Sequence, residues 1–232
     1  MQKSFTADEA ELERVRAMGT KLGRLYSLLV NECNLLHLQW SEYENLFGTS
    51  VERIELLNQS ARSFFRMLQD RLWDGALLHI ARLTDPSASL GSKGKENVTV
   101  LGLPPLVDPK ILPRVEKLID FAENESKFAR DWRNRRIAHR DLQLALGGTV
   151  TPLAPASRAN VKRALKAIAD VLNAIESHYL GAEIAYDFIH STFGAKALLY
   201  VLREGIEARD AYDRRLRSGQ LLPEEIKPRR PL

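Results

Sequence analysis

The chain has 232 residues, 44% hydrophobic and 28% charged. That balance belongs to a soluble globular protein, and no run reaches the roughly 20 apolar residues that a membrane span needs. A single cysteine, Cys33, excludes an intramolecular disulfide framework and a cysteine-based metal site. Lys plus Arg number 34 against 30 Asp plus Glu, a net charge of only +4, so local clustering carries more electrostatic information than the total.

Length and patterning predict one large helical domain over residues 1–220 rather than two independent ones, followed by a disordered tail at 221–232. The first ten residues lack the apolar core of a signal peptide, which makes a reducing cytoplasm the expected location. Thr6 with Glu9 three residues on is a capping-box pattern that starts a helix near Ala7. Leu12, Val15, Leu22, Leu25, Leu29, Leu36 and Trp40 then recur at spacings of three, four and seven as far as Phe47, the period of an amphipathic helix. Gly19 and Gly23 weaken its first half, through a bend or a close helix contact. Gly48-Thr49-Ser50 ends it and caps a second long helix, Val51 to Leu83, with Ile54, Leu57, Phe65, Leu72 and Ile80 on its apolar face. Two long helices joined so tightly pack as an antiparallel hairpin, and Asp85-Pro86 closes the second one.

Residues 86–108 form a long loop, with a short extended piece at Val98 to Leu103. Gly-Ser-Lys-Gly-Lys at 91–95 lacks the spacing of a phosphate-binding loop and reads as a turn. A third helix starts between Asp108 and Pro113 and runs through Val115, Ile119, Phe128 and Trp132 to Ile137. Gly147-Gly148 and Pro152 to Pro155 mark the next loop. A fourth helix spans Ser157 to His178 and stops before Gly181. A fifth covers Ala185 to Arg217, interrupted at Gly194. The fold class is all-α: a bundle of about five helices with two long antiparallel helices at its N-terminal end.

The third helix ends in the one stretch that gathers chemistry, Arg-Asp-Trp-Arg-Asn-Arg-Arg-Ile-Ala-His-Arg-Asp at 130–141. From Lys127 to Arg140 there are six basic residues and one acid, Asp131. Such a cluster attracts phosphate or carboxylate; a solvated, salt-bridged helix face is the plainer alternative. An arginine followed at some distance by a histidine is a cheap pattern. Requiring Asn directly after the Arg and a fixed spacing lowers the chance expectation to about 0.02 in this composition, so Arg133-Asn134 followed by His139 stands out. Histidine exchanges a proton near neutrality, and arginine offers fixed charge and paired donors to phosphate. Cleaving RNA without a metal needs both, a base for the ribose 2′ hydroxyl and cations on the phosphate.

At 100° per residue, Arg133 and His139 stand about 120° apart, whereas Arg135 and Arg136 share the histidine's face. Pairing Arg133 with His139 therefore needs the helix to unwind there, or the arginine to wrap round. Asp131 lies where it can orient Arg135. The competing structural account has His139 and the arginines meeting the negative end of the helix dipole. Arg82 and Asp85, at the end of the second helix, either line a cleft or pair with each other. His37 and His79 sit on apolar helices and read as core histidines, and His178 and His190 lack a second ligand at metal spacing.

Arg133-Asn134-Arg135-Arg136-Ile137-Ala138-His139 resembles the signature of the HEPN superfamily of helical domains, an Arg and a polar residue followed after three to five residues by His. Together with Ala81-Arg82-Leu83-Thr84-Asp85-Pro86 at the end of the second helix, it resembles the AbiU-like branch linked to phage abortive infection. The likeness covers roughly residues 10–200, and only the short motif is specific. Many members of that superfamily are metal-independent endoribonucleases, typically dimers whose two motifs face one cleft; others are inactive binding or scaffolding domains. The resemblance therefore implies an antiviral-defence or toxin-type endoribonuclease that dimerises, binds RNA and answers to an antitoxin or regulatory protein, with no cofactor, metal or membrane. It assigns His139 as general acid/base, Arg133 as phosphate clamp and Asn134 as a positioning residue. Arg130, Arg135, Arg136 and Arg140 become substrate-binding, and Arg82, Asp85 and Asp131 second-tier candidates. The rival reading is a non-catalytic HEPN-like module that binds RNA, nucleotide or protein through the same surface, and a third is a purely structural helical dimer.

Overall fold

A computed structural model describes residues 7–88, 96–138, 142, 146, 152–189, 191–222 and 225. Among them the α-helices are α1 (Ala7–Met18), α2 (Thr20–Phe47), α3 (Val51–Leu83), α4 (Leu112–Glu125), α5 (Lys127–Trp132), α6 (Arg158–Leu180) and α7 (Ala195–Arg217). Short 3-10 turns lie at Val100–Gly102, Pro104–Leu106 and Tyr186–Phe188, and a π-helical turn occupies Arg133–Ile137. The only pairing of extended backbone among the described residues is an isolated bridge between Ala88 and Glu96. The all-α expectation holds.

Two predicted helices are each divided. The first breaks at Gly19, whose φ of 81° lies in the left-handed region that glycine enters without steric cost. The resulting fold-back brings Gly23 so close to α1 that a Cβ there would stand 2.6 Å from the Val15 Cα. The third breaks at Ser126, whose amide bonds back to the Ala122 and Glu123 carbonyls before α5 begins. Of the piece expected to be extended at Val98 to Leu103, Thr99 has extended backbone, whereas Val100–Gly102 form a 3-10 turn that a second one follows at Pro104–Leu106; Val100 and Leu103 are completely buried. The anchor of this piece is the buried Thr99, whose hydroxyl lies 2.7 Å from the Asp85 carbonyl and 2.9 Å from that of Leu83. The turn at 91–95 and nearly all of the tail at 221–232 lie outside the described residues.

The chain forms two compact units. One comprises Met1–Ser41 and Arg71–Ile189, the other Glu42–Asp70 and His190–Leu232, so α2 and α3 contribute to both. In the first unit α6 is the central element. It starts at Ser157, whose hydroxyl accepts the Asn160 amide in an N-cap, and it buries Val161, Leu165, Ile168, Leu172 and Ile175. Each such side chain contributes about 1.5–3 kcal/mol on leaving water. Helix α4 packs along it through Val115, Ile119 and Ala122. Contacts between α2 and α3 run in opposite senses along the two chains: Glu32 reaches His79, and Gln39 donates to the Leu72 carbonyl at 3.3 Å. This is the antiparallel hairpin expected from the short connection.

In the second unit, α3 is interrupted at Ala61, which leaves helical geometry at φ −160° and ψ 70°. The preceding Ser60 hydroxyl donates to the Leu56 carbonyl at 2.7 Å, the kind of back-bonding that bends helices. Glu42 accepts the Ala195 amide and so caps α7; a Cβ at Gly194 would collide with that carboxylate.

Candidate functional site

The first unit brings the end of α3 against the start of the arginine stretch. A helix end leaves carbonyls without partners, and here a cation from α5 takes them. Arg130 donates to the Thr84 carbonyl at 3.0 Å and to its hydroxyl at 2.9 Å, while its other terminal nitrogen donates to the Glu123 carbonyl at 2.6 Å. One guanidinium thus fastens the end of α3 to the end of α4. Thr84 is fully buried.

Arg133 opens the π-helical turn and reaches the same helix end. Its terminal nitrogen Nη1 donates to Asp85 Oδ2, and its Nε donates to Asn134 Oδ1 at 2.9 Å. Both charged side chains are about four-fifths buried, at 22% and 20% exposure, so the pair is shielded enough to hold its geometry. The second Asp85 oxygen, Oδ1, is buried and without a hydrogen-bond partner among the described residues. Asp85 pairs with Arg133 rather than with Arg82, whose guanidinium lies 3.7 Å from Glu32 on α2.

The turn from 133 to 137 changes the register of the motif. The Ala138 amide donates to the Arg133 carbonyl at 2.8 Å, five residues back rather than four. The angular projection for a regular α-helix therefore does not apply across this stretch, and π turns recur where function needs an altered side-chain register. His139, Arg140 and Asp141 lie outside the described residues.

The remaining members of the cluster grip the segment before α6. Asp131 accepts the Ala154 amide at 2.7 Å, and Trp132 Nε1 donates to the Ala154 carbonyl at 2.8 Å. Arg135 lies 3.5 Å from Asp131 and donates to the Pro152 carbonyl at 3.3 Å. Asp131 does sit beside Arg135, as its spacing suggested, and it also holds a backbone amide. Arg136 lies over the Trp132 ring, with its guanidinium carbon 4.8 Å from the ring centroid. Arg136 and Asn134 are exposed.

A second polar group lies nearby in sequence on α3. His79 Nε2 stands 2.8 Å from Glu32 Oε2, yet off the line of a well-formed hydrogen bond. Burial pushes its pKa below the ordinary histidine value, Glu32 partly opposes this, and the Arg82 cation adds to it. His37 is likewise buried, and its pKa is also lowered chiefly by burial, with Asp187 opposing. Both are core histidines in placement. Sequence reasoning did not foresee Glu32 as a partner of His79, or Thr84 as a target of Arg130. Leu-Thr-Asp-Pro signals a helix end, but only the fold shows which cation meets it.

Among the described residues no three His, Cys, Asp or Glu side chains gather as a metal site, and no described helix is long and apolar enough to cross a membrane. A family model of HEPN type, described as AbiU2, matches residues 19–198, more than three quarters of the chain. The match takes in the α3 end, the arginine stretch and α6. No curated protein and no solved structure matches the chain.

Proposed function

From a chain that belongs to the AbiU2 family of HEPN domains, linked to abortive infection, we propose a metal-independent endoribonuclease that acts as a dimer. The observation that supports this most is the held state of Arg133. The first arginine of the motif is ion-paired, flanked by Asn134 and set on a π turn rather than left waving on a solvated face. Side chains that must meet a phosphate in a fixed orientation are pre-organised in this way.

In this mechanism His139 takes the proton of the ribose 2′ hydroxyl, which attacks the adjacent phosphorus and expels the 5′ oxygen; a protonated histidine supplies the leaving group's proton. Arg133 neutralises the charge that develops on the phosphoryl oxygens, and Asn134 keeps its guanidinium in plane. One chain offers a single histidine in this stretch, so a dimer supplies both the base and the acid. Arg135, Arg136 and Arg140 add attraction for the RNA backbone. Arg130, whose donors are engaged by backbone carbonyls, supports the site from beneath.

One observation favours a different reading. With Asp85 on Arg133 and Asp131 near Arg135, two cations of the cluster are already partnered, which suits a module that binds RNA, nucleotide or protein without cutting it. The deciding experiment incubates wild type and His139→Ala with total RNA and a tRNA pool in chelator, then identifies fragment ends. Fragments ending in 2′,3′-cyclic phosphate from wild type alone establish the nuclease; intact RNA in the presence of folded, dimeric wild type sinks it in favour of the binding module.

A further inference from the structure

The cluster divides its arginines by what they are already doing. Arg130 is spent on the Thr84 and Glu123 carbonyls, Arg133 is paired with Asp85, and Arg135 stands by Asp131 and Pro152. Arg136 differs: among the described residues it meets no carboxylate, and it lies over the Trp132 ring.

That indole is itself fixed. Its Nε1 is bonded to the Ala154 carbonyl, and its ring meets Trp73 edge to face, 6.4 Å between centroids at 72°. Trp73 in turn lies 6.0 Å from the buried Trp40. Three tryptophans from α2, α3 and α5 thus run outward from the core and end under a guanidinium. Arg136 is exposed, so it can be approached from solvent. A guanidinium seated on a fixed ring loses less freedom on binding than a free one, and it has the planarity and polarisability to stack on a nucleobase.

Resting on the ribonuclease or RNA-binding reading of the same stretch, we propose that Arg136, seated on Trp132, is a stacking platform for an unpaired nucleobase, which makes single-stranded RNA the substrate class. A duplex keeps its bases stacked on one another and cannot offer that face. The platform takes any base, because every base has a π surface.

The test measures binding by fluorescence anisotropy, using 2′-O-methyl oligonucleotides, which lack the attacking hydroxyl and stay intact. Three probes are compared: a single strand, the same strand carrying an abasic run, and a duplex. Wild type binds the single strand at least roughly ten-fold tighter than the abasic strand or the duplex, the scale of one stacked base. Arg136→Lys keeps the charge and loses the plane; it weakens the single strand by roughly ten-fold and leaves the abasic strand unchanged. Equal binding of base-bearing and abasic strands by wild type overturns the platform while leaving phosphate recognition intact, as does full single-strand affinity in Arg136→Lys. Failure of wild type to bind any of the three overturns the RNA reading, and the platform with it. The wild-type comparison needs no folded variant.

Discussion

Arg133 donates to Asp85 across the gap between the π turn and the end of α3, and each side chain is about one-fifth exposed. The link joins two segments 48 residues apart in sequence and fixes the one arginine that the motif places before its asparagine. In the nuclease reading Asp85 is expected to act as a positioning residue, its carboxylate setting where the guanidinium stands.

Asp85→Asn keeps the shape and removes the charge. Partly buried pairs fall between exposed ones, worth up to about 1 kcal/mol, and buried ones, whose disruption costs about 3–5 kcal/mol. A loss of about 2 kcal/mol is expected, a fall in melting temperature of about 4–8 °C for a chain of this size. In the nuclease reading the turnover number drops by about 10- to 100-fold through misplacement of Arg133, while RNA affinity holds or rises because a cation has been released. Equal losses in turnover and affinity would show instead that Asp85 matters only to the fold.

Arg130 belongs to the structural side of the cluster. Arg130→Ala strands the Thr84 and Glu123 carbonyls, and the charge-assisted bonds lost are worth about 1.5–3 kcal/mol each at most. We expect a melting temperature lower by about 6–12 °C and, in folded protein at lower temperature, an unchanged dependence of RNA affinity on salt. A cation that met phosphate would reduce that slope by about 0.7 for a single strand, so a shallower slope would return Arg130 to the binding surface.

Helical period and punctuation made the bundle legible. The hairpin of α2 and α3 follows from apolar spacing and a connection too short for anything else, and Gly48, Pro86 and Gly181 fall where helices end. Less legible were the breaks at Gly19 and Ser126. Glycine permits a left-handed turn without demanding it, and Ser126 looks like any polar position on a helix. The site was legible as a list of residues but not as a set of pairs. Arg133 and Asp85 lie too far apart in sequence for any local rule to join them, and Asp85 had a nearer apparent partner in Arg82. The π turn escaped for another reason: five-residue closure leaves no trace in the apolar pattern, so an α-helical projection was applied where it does not hold.

Two buried histidines make stability sensitive to acid. Burial lowers the pKa of both His37 and His79, so in the folded state each stays neutral to lower pH than in the unfolded chain, where histidine titrates near 6.5. Unfolded chains then bind more protons below that value. Stability is full above about pH 6.5 and declines as pH falls through the window down to the folded-state values, by up to about 1.4 kcal/mol per pH unit for each histidine. Melting temperatures between pH 8 and 5.5 check this. A His37→Gln, His79→Gln double variant flattens the decline whatever its absolute stability; an unchanged slope would assign the acid sensitivity to other groups.

Asp131 provides the sharpest local readout. Its Oδ2 accepts the Ala154 amide at 2.7 Å, while the Ala154 carbonyl is held by Trp132, so this residue ahead of α6 is held through both its amide and its carbonyl. In Pro152-Leu153-Ala154-Pro155 only Leu153 and Ala154 carry an amide proton, which makes exchange there readable residue by residue. Asp131→Ala removes the acceptor and leaves the Trp132 contact. Ala154 exchange then accelerates by about ten-fold, one ordinary hydrogen bond being worth about 1 kcal/mol and a charged acceptor somewhat more. Amides on the buried face of α6, such as Ile168 and Leu172, keep their protection, because they open only with the core. Acceleration spread across α6 would mean that Asp131 holds the whole helix in place; none at Ala154 would mean that the carboxylate does not hold this amide in solution.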